Sequence, residues 1–413
     1  MAEVTIGWFA GIDWGSQQHQ VCLLDAAGKV VGERAFPHGG AGLAALCGWL
    51  VSMADDPGSV AVAIEVPHGP VVDALLDRGF AVHAINPKQL DRLRDRFSVA
   101  GAKDDRRDAR VAAAGLRTDR HLFRPVAASD PAVIELREWS RLAEELQQER
   151  VRLANRVRQQ LWRYYPQLLE LADDVAAEWI LALWTLAPTP AKAARLREAT
   201  IAKLLRQHRI RRVDAETALG ILRQPAIKVA AGVTEAAVLH LQSLVARLRL
   251  ANRELHQAEH KLDALCTALS ETASAAEDSG PGDVAILSSL PGVGKVTLAT
   301  LLTEAAGPLT RRDYAALRTL SGVAPVTKRS GKTCIVVMRY AAQTRLRNAV
   351  FHWARVAVLN DPKCRGRYEA LRARGHSYGR ALRGVADRLL GVACVLLRRQ
   401  VLFDSDHGKS VAA

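Results

Sequence analysis

The sequence predicts an α/β N-terminal domain, a long helical middle and a basic, mostly α-helical last third, and three observations carry that reading. In the first hundred residues, short apolar runs bounded by Gly, Pro and Ser alternate with helix-like stretches, as in a mixed sheet flanked by helices. From about residue 130 the apolar pattern changes to alternating steps of three and four, the spacing of helices that pack along a seam. The charge is also divided: residues 281–413 carry 22 Lys and Arg against 8 Asp and Glu, whereas residues 1–280 balance at 35 of each.

Taken in order, "WFAGIDWGSQ" is a short apolar strand ending in Gly and Ser, and "HQVCLLDAAGKVVGERAF" reads as a hairpin around Ala-Ala-Gly. "SVAVAIEV" and "FAVHAINP" are two further apolar strands with helix-like stretches between them. Three hairpin-like strands followed by alternating strand and helix resemble the ribonuclease H arrangement, in which strands one and four are neighbours. This domain is expected over residues 1–128.

A helical, coiled-coil region is expected over 129–270. Its clearest seam is Leu241, Leu244, Leu248, Ala251, Leu255, Ala258, Leu262 and Leu265. A less regular partner runs through Trp139, Ala143, Leu146, Leu153, Val157 and Tyr164, interrupted by Arg150. The two can pair within one chain as an antiparallel hairpin or between chains as a dimer contact, and spacing does not choose. Residues 166–232 read as inserted helices broken at "APTPAK". Small and polar residues make 271–283 a linker. The basic domain is expected over 284–402, with a possible strand at "TCIVVMRY" and a helix-hairpin-helix-like element at "LPGVGK"; 403–413 is a polar tail.

At 413 residues, the chain is long enough for two or three domains. No uncharged apolar stretch of membrane-spanning length and no basic-then-apolar leader appears, so a membrane partner and a secretory signal are not expected. Six scattered cysteines without a CxxC pair argue against a disulfide framework or a structural zinc site, and a reducing cytoplasm is the expectation. Concentrated positive charge points to a polyanion. Arg outnumbers Lys by 45 to 12, as a GC-rich genome would produce, but composition alone does not create the asymmetry along the chain.

The acids are the candidate chemistry. Asp13 sits where the first strand ends, and Glu65 falls in the apolar "VAVAIEV", where burial without a partner would be costly. In "KDDRRDARVA", Asp105 and Asp108 are three apart and so share one helix face, while Asp104 is an alternative at four. Convergent carboxylates repel unless a divalent cation neutralises them, and hard oxygen ligands suit Mg²⁺, two of which are the usual device for phosphoryl transfer. Lys103, Arg106 and Arg107 could grip a phosphate backbone beside them. In "LPGVGK", Gly292, Gly294 and Lys295 form either a phosphate-holding nest or an ordinary tight helix connection.

Together, "GIDWGSQQHQV", Glu65, "KDDRRDA", "LSSLPGVGKVTLATLL", "LSGVAPVTKRSGKT", "LRNAV" and "NDPKCRGRYEAL" resemble the DEDD insertion-sequence recombinases of the family numbered one hundred and ten, which includes Piv-type DNA invertases. The resemblance covers roughly 1–115 and 284–400. It implies a RuvC-like N-terminal domain joined to a C-terminal transposase domain, and it selects Asp105 with Asp108 as the third and fourth acids beside Asp13 and Glu65. It also makes Ser330, in the field of Lys328, Arg329 and Lys332, the nucleophile, and associates Arg347 with nucleic acid. Further implications are donor and target DNA, a structured bridge RNA that pairs with both, and a homo-oligomer, dimer or tetramer. Ala342-Gln343 stands where many members have Gly-Asn. A hydrolytic RuvC-like junction nuclease, with Ser330 only binding, is the alternative, and Ser321 is the weaker serine.

Overall fold

The computed structural model describes residues 5–54, 56–96, 104–126, 130–274, 281–331 and 333–404, in two compact units, 1–130 and 131–413. In the first unit, β1 (Trp8–Trp14), β2 (Gln18–Asp25) and β3 (Val30–Pro37) form an antiparallel meander. β4 (Val60–Ile64) and β5 (Ala81–Ala84) join in parallel on the other side of β1, and the short β6 (Arg124–Pro125) pairs antiparallel with β5. The order is therefore β3-β2-β1-β4-β5-β6, with the first and fourth strands adjacent as expected.

Parallel neighbours require crossovers, and α1 (Gly40–Met53) and α2 (Pro70–Asp77) supply them. Their Leu46, Leu50, Val72 and Leu75 cover one sheet face over Ile12, Val62 and Ile64. α3 (Pro87–Asp95) and α4 (Asp105–Thr118) cover the other, packing Leu93, Val111, Ala112 and Leu116 against Ala61 and Ala63. All five β4 residues are buried, as in a strand covered on both sides. The alanines of α4 have a specific use: a Cβ at Gly11 would lie 2.0 Å from the Ala109 carbonyl oxygen and 2.5 Å from the Ala113 nitrogen, so helix backbone rests directly on β1.

In the second unit, α5 (Pro131–Tyr164) and α11 (Val233–Ser274) lie antiparallel within the chain, with Glu135 meeting Lys261, Glu149 meeting Arg247 and Arg156 meeting His240. The leucine seam of α11 is buried apart from Leu255, which is partly so. Arg150, which breaks the partner seam, turns its Nε to Asn252 Oδ1 at 2.9 Å and ion-pairs with Asp174. Between the long helices, α6 (Gln167–Leu171), α7 (Glu178–Leu186), α8 (Pro190–Ala193), α9 (Glu198–Gln207) and α10 (Ala215–Leu222) build a core around the end where α5 stops and α11 begins.

The opposite end of the pair shares a second core with the basic segment: α12 (Asp283–Ser289), α13 (Lys295–Glu304), α14 (Ala306–Thr310), α15 (Tyr314–Leu320), α16 (Thr344–Asn360), α17 (Pro362–Ala373) and α18 (Tyr378–Arg399). Trp353 is fully buried there and donates its Nε1–H to the Pro291 carbonyl at 2.9 Å. A two-stranded ribbon, β7 (Val326–Ser330) with β8 (Thr333–Val337), leaves this core before α16. The "TCIVV" strand was expected and its partner "VTKRS" was not. Much of the expected 271–283 linker lies outside the described residues, as does the tail beyond Asp404. No described helix is long and apolar enough to cross a membrane.

Candidate functional site

The sheet end beyond β1 and β4 gathers the acids. Ile12 and Ile64 are register partners in these parallel strands, and Asp13 and Glu65 each follow by one residue. Glu65 does not interrupt a buried strand: β4 ends at Ile64, and Glu65 is half-buried just past it, so the desolvation cost expected from the sequence is avoided. Strand alternation sets Asp13 on the same face as Gly11, the face that carries α4. α4 runs opposite to β1, because Arg117 in its last turn donates to the Ala26 carbonyl in the β2–β3 turn, beside the start of β1. Its first turn, with Asp105 and Asp108, therefore points toward the Asp13 end.

The three acids of "KDDRRD" are distinguished by their surroundings. Asp104 is the N-cap of α4, its side chain accepting from the Arg106 N–H. Asp105 is exposed in the first turn. Asp108 is 4% exposed and takes a bidentate grip from Arg94, Nε to Oδ1 at 2.7 Å and Nη2 to Oδ2 at 2.9 Å. Burial works against the charge on Arg94, but the hydrogen bonds and charge of Asp108, then Asp91, outweigh it and raise the guanidinium above its ordinary pKa. Arg106 reaches Glu33 on β3 at 3.2 Å. Arg107 is half-buried, and Lys103 lies outside the described residues.

This donor set matches a hard divalent ion in chemistry but not in spacing. The oxygen chemistry suits Mg²⁺, and a carboxylate gripped by Arg retains lone pairs. Among the described residues, however, no three His, Cys, Asp or Glu side chains lie close enough together to hold an ion. Asp13, Glu65 and the first turn of α4 share one sheet end without closing into a cage, and the exposed Asp105 is the acid with room to turn. Spacing had pointed to the acids but not to Arg94, whose contact with Asp108 spans two helices.

In the second unit, Lys328, Arg329 and Ser330 are exposed on β7, with Ser330 paired to Thr333 at the tip. Gly331 takes φ 54°, the left-handed conformation that a two-residue hairpin turn uses. Lys332 lies outside the described residues. Ser321 is 1% exposed and donates to the Leu317 carbonyl at 2.7 Å, so it is a helix-end serine rather than an open nucleophile. Gly292 has a packing reason of its own: at φ 78°, a Cβ would meet the Ala357 nitrogen of α16 at 2.6 Å. Gly294 is open and caps α13, and Lys295 is exposed and ion-paired with Asp263 at 2.6 Å. At the ribbon's base, Arg347 and Arg383 line a cavity of about 210 Å³ with Ser321, Met338 and Phe351. Burial and then Arg380 lower the Arg383 pKa from its ordinary value, as expected of a cation with few counter-charges.

Comparison with known proteins accounts for both halves of this arrangement. Residues 10–166 match the DEDD transposase family model of the IS110 type, and residues 284–369 match the model described as "Transposase IS116/IS110/IS902 family". The chain is 33% identical over 424 residues to the "Mini-circle putative transposase for IS117" of Streptomyces coelicolor, covering 98% of each protein. It is 63% identical over 209 residues to "Putative transposase y4uE" of Sinorhizobium fredii, spanning 50% of this chain and 58% of that protein. The "Insertion element IS110 uncharacterized 43.6 kDa protein" of Streptomyces coelicolor is 27% identical over 411 residues. With both family models matched and full-length similarity to an insertion-element relative, this chain belongs to the IS110 family of transposases.

Proposed function

We propose that the protein is a DNA recombinase of a mobile element, cutting and rejoining strands with Mg²⁺-bound acids and a serine nucleophile. The observation that carries this reading is the shared end of the sheet at which Asp13, Glu65 and the first turn of α4 lie. Asp13, Glu65, Asp105 and Asp108 would hold the ion, which when bound supplies positive charge to a phosphate undergoing transfer. Arg94 anchors Asp108, leaving Asp105 to adjust.

Exposure of Ser330 on a cationic ribbon supports its part. Its Oγ attacks phosphorus, a phosphoserine ester forms, one phosphorus–oxygen bond to the DNA sugar breaks, and the departing oxygen takes up the proton. A free hydroxyl end of a second strand then reverses the step and restores the serine. Lys328, Arg329 and Lys332 offset the charge on the phosphate. In this reading a bridge RNA pairs with donor and target DNA and supplies sequence choice, as the family resemblance implies, while protein contacts to backbone supply grip. The working unit is a homo-oligomer whose long helix pair, supercoiled as its seam suggests, joins the two cores of the second unit.

The test is strand exchange between donor and target plasmids with the RNA added. Asp105→Asn and Ser330→Ala should each abolish exchange while DNA binding persists, and wild type should yield a covalent DNA adduct that maps to Ser330. Cleavage without an adduct, unchanged in Ser330→Ala, would make the enzyme a hydrolytic nuclease instead.

A further inference from the structure

We propose that His256 and His260 form a two-histidine binding site for a borderline divalent transition-metal ion on the outer face of α11. Neither residue belongs to the sheet end or to the ribbon. They stand four apart, one turn of helix, and both are exposed. Their rings meet edge to face with centroids 4.4 Å apart, and their Nε2 atoms are 3.1 Å apart.

That separation is what a single ion requires. With metal–nitrogen bonds of about 2.0–2.1 Å, two imidazole nitrogens at right-angle to tetrahedral bond angles lie about 2.9–3.4 Å apart. A hydrogen bond between the rings also fits the distance, but on an exposed face it gains little over water. The backbone beneath is fixed, because Ala258 and Leu262, interleaved with the histidines, are fully buried in the core. The chelate therefore forms without ordering a loop. Imidazole suits Cu²⁺, Ni²⁺ and Zn²⁺ rather than Mg²⁺, with Cu²⁺ bound most strongly.

The reading stops at binding. "HQAEH" has the His-x-x-Glu-His order of some zinc hydrolases, but hydrolysis needs a third protein ligand, and no group of three lies close enough among the described residues. Water completes the coordination, and the ion clamps one turn of α11, stabilising the fold by mass action.

The experiment titrates the full chain carrying Asp13→Asn and Asp105→Asn, which removes carboxylates at the sheet end, with ZnCl₂ by calorimetry in excess MgCl₂ and with Cu²⁺ by electron paramagnetic resonance, the chain with both histidines intact being the wild type of the comparison. Wild type should show a one-to-one step, a two-nitrogen copper signal and a melting temperature that rises with Zn²⁺. His256→Ala and His260→Ala should each lose the step and the Zn²⁺-dependent rise. Circular dichroism should stay at the wild-type helical content, since alanine at exposed helix positions favours the fold. The same step and signal in both variants would overturn the site, and so would a wild type that binds neither ion there.

Discussion

Asp108 and Asp105, three residues apart, face opposite demands. Asp108 is buried and shared with Arg94, so Asp108→Asn leaves the guanidinium with Asp91 as its remaining carboxylate and should cost about 2–3 kcal/mol in urea denaturation, less than a wholly buried pair because Arg94 keeps that partner and some solvent contact. Asp105→Asn, at an exposed position, should leave the denaturation midpoint unchanged while exchange is lost. Spacing left Asp104 and Asp105 open beside Asp108 and the family resemblance chose Asp105, but neither could tell which acid is held, because that depends on a side chain fourteen positions earlier on another helix. His19 is a second residue of this kind. It is fully buried, its Nε2 lies 3.1 Å from His38 Nδ1, and its own Nδ1 has no hydrogen-bond partner among the described residues. Burial, then the charge of His38, lowers its pKa. The unfolded chain takes up that proton near the ordinary value of about 6.5 and the folded chain resists, so stability is full above that pH and falls below it. Urea midpoints at pH 7.5 and 5.5 should differ in wild type and differ less in His19→Phe.

Among the elements, α4 shows most clearly how composition serves position. Its alanines have their reason in Gly11, where helix and strand backbones nearly touch. Gly11→Val would force them apart, with an expected cost of at least about 1–3 kcal/mol from overpacking and a displaced first turn. Denaturation measures the first effect, and loss of exchange with DNA binding intact measures the second. The ribbon was half legible. "TCIVV" carries β-branched residues, whereas "VTKRS" is polar and exposed along most of its length and becomes a strand through its pairing and the turn at Gly331. "LPGVGK" offered two readings, and the contact of Gly292 with α16 supplies a packing reason that a phosphate nest does not require.

Across the whole molecule, the charge asymmetry was the plainest signal in the sequence, and it gives a direct expectation. Binding of duplex DNA should weaken linearly on a log–log plot against salt, and replacing Lys328 and Arg329 with alanine should reduce the slope by about one to two phosphate contacts. An unchanged slope would remove the ribbon from the binding surface. Periodicity announced two seams but could not say that they belong to each other in one chain; side chains such as Lys261 with Glu135 and Arg247 with Glu149 settle the antiparallel register. That register has a mechanical corollary. The 34 residues of α5 extend for about 51 Å, one core reaching in from one end as far as Leu146 and the other starting at Leu153, so the gap between the cores is counted in helical turns. Matched removal of seven residues from both helices would draw the cores together by about 10 Å. The molecule thus carries a built-in yardstick whose graduations are the leucines themselves.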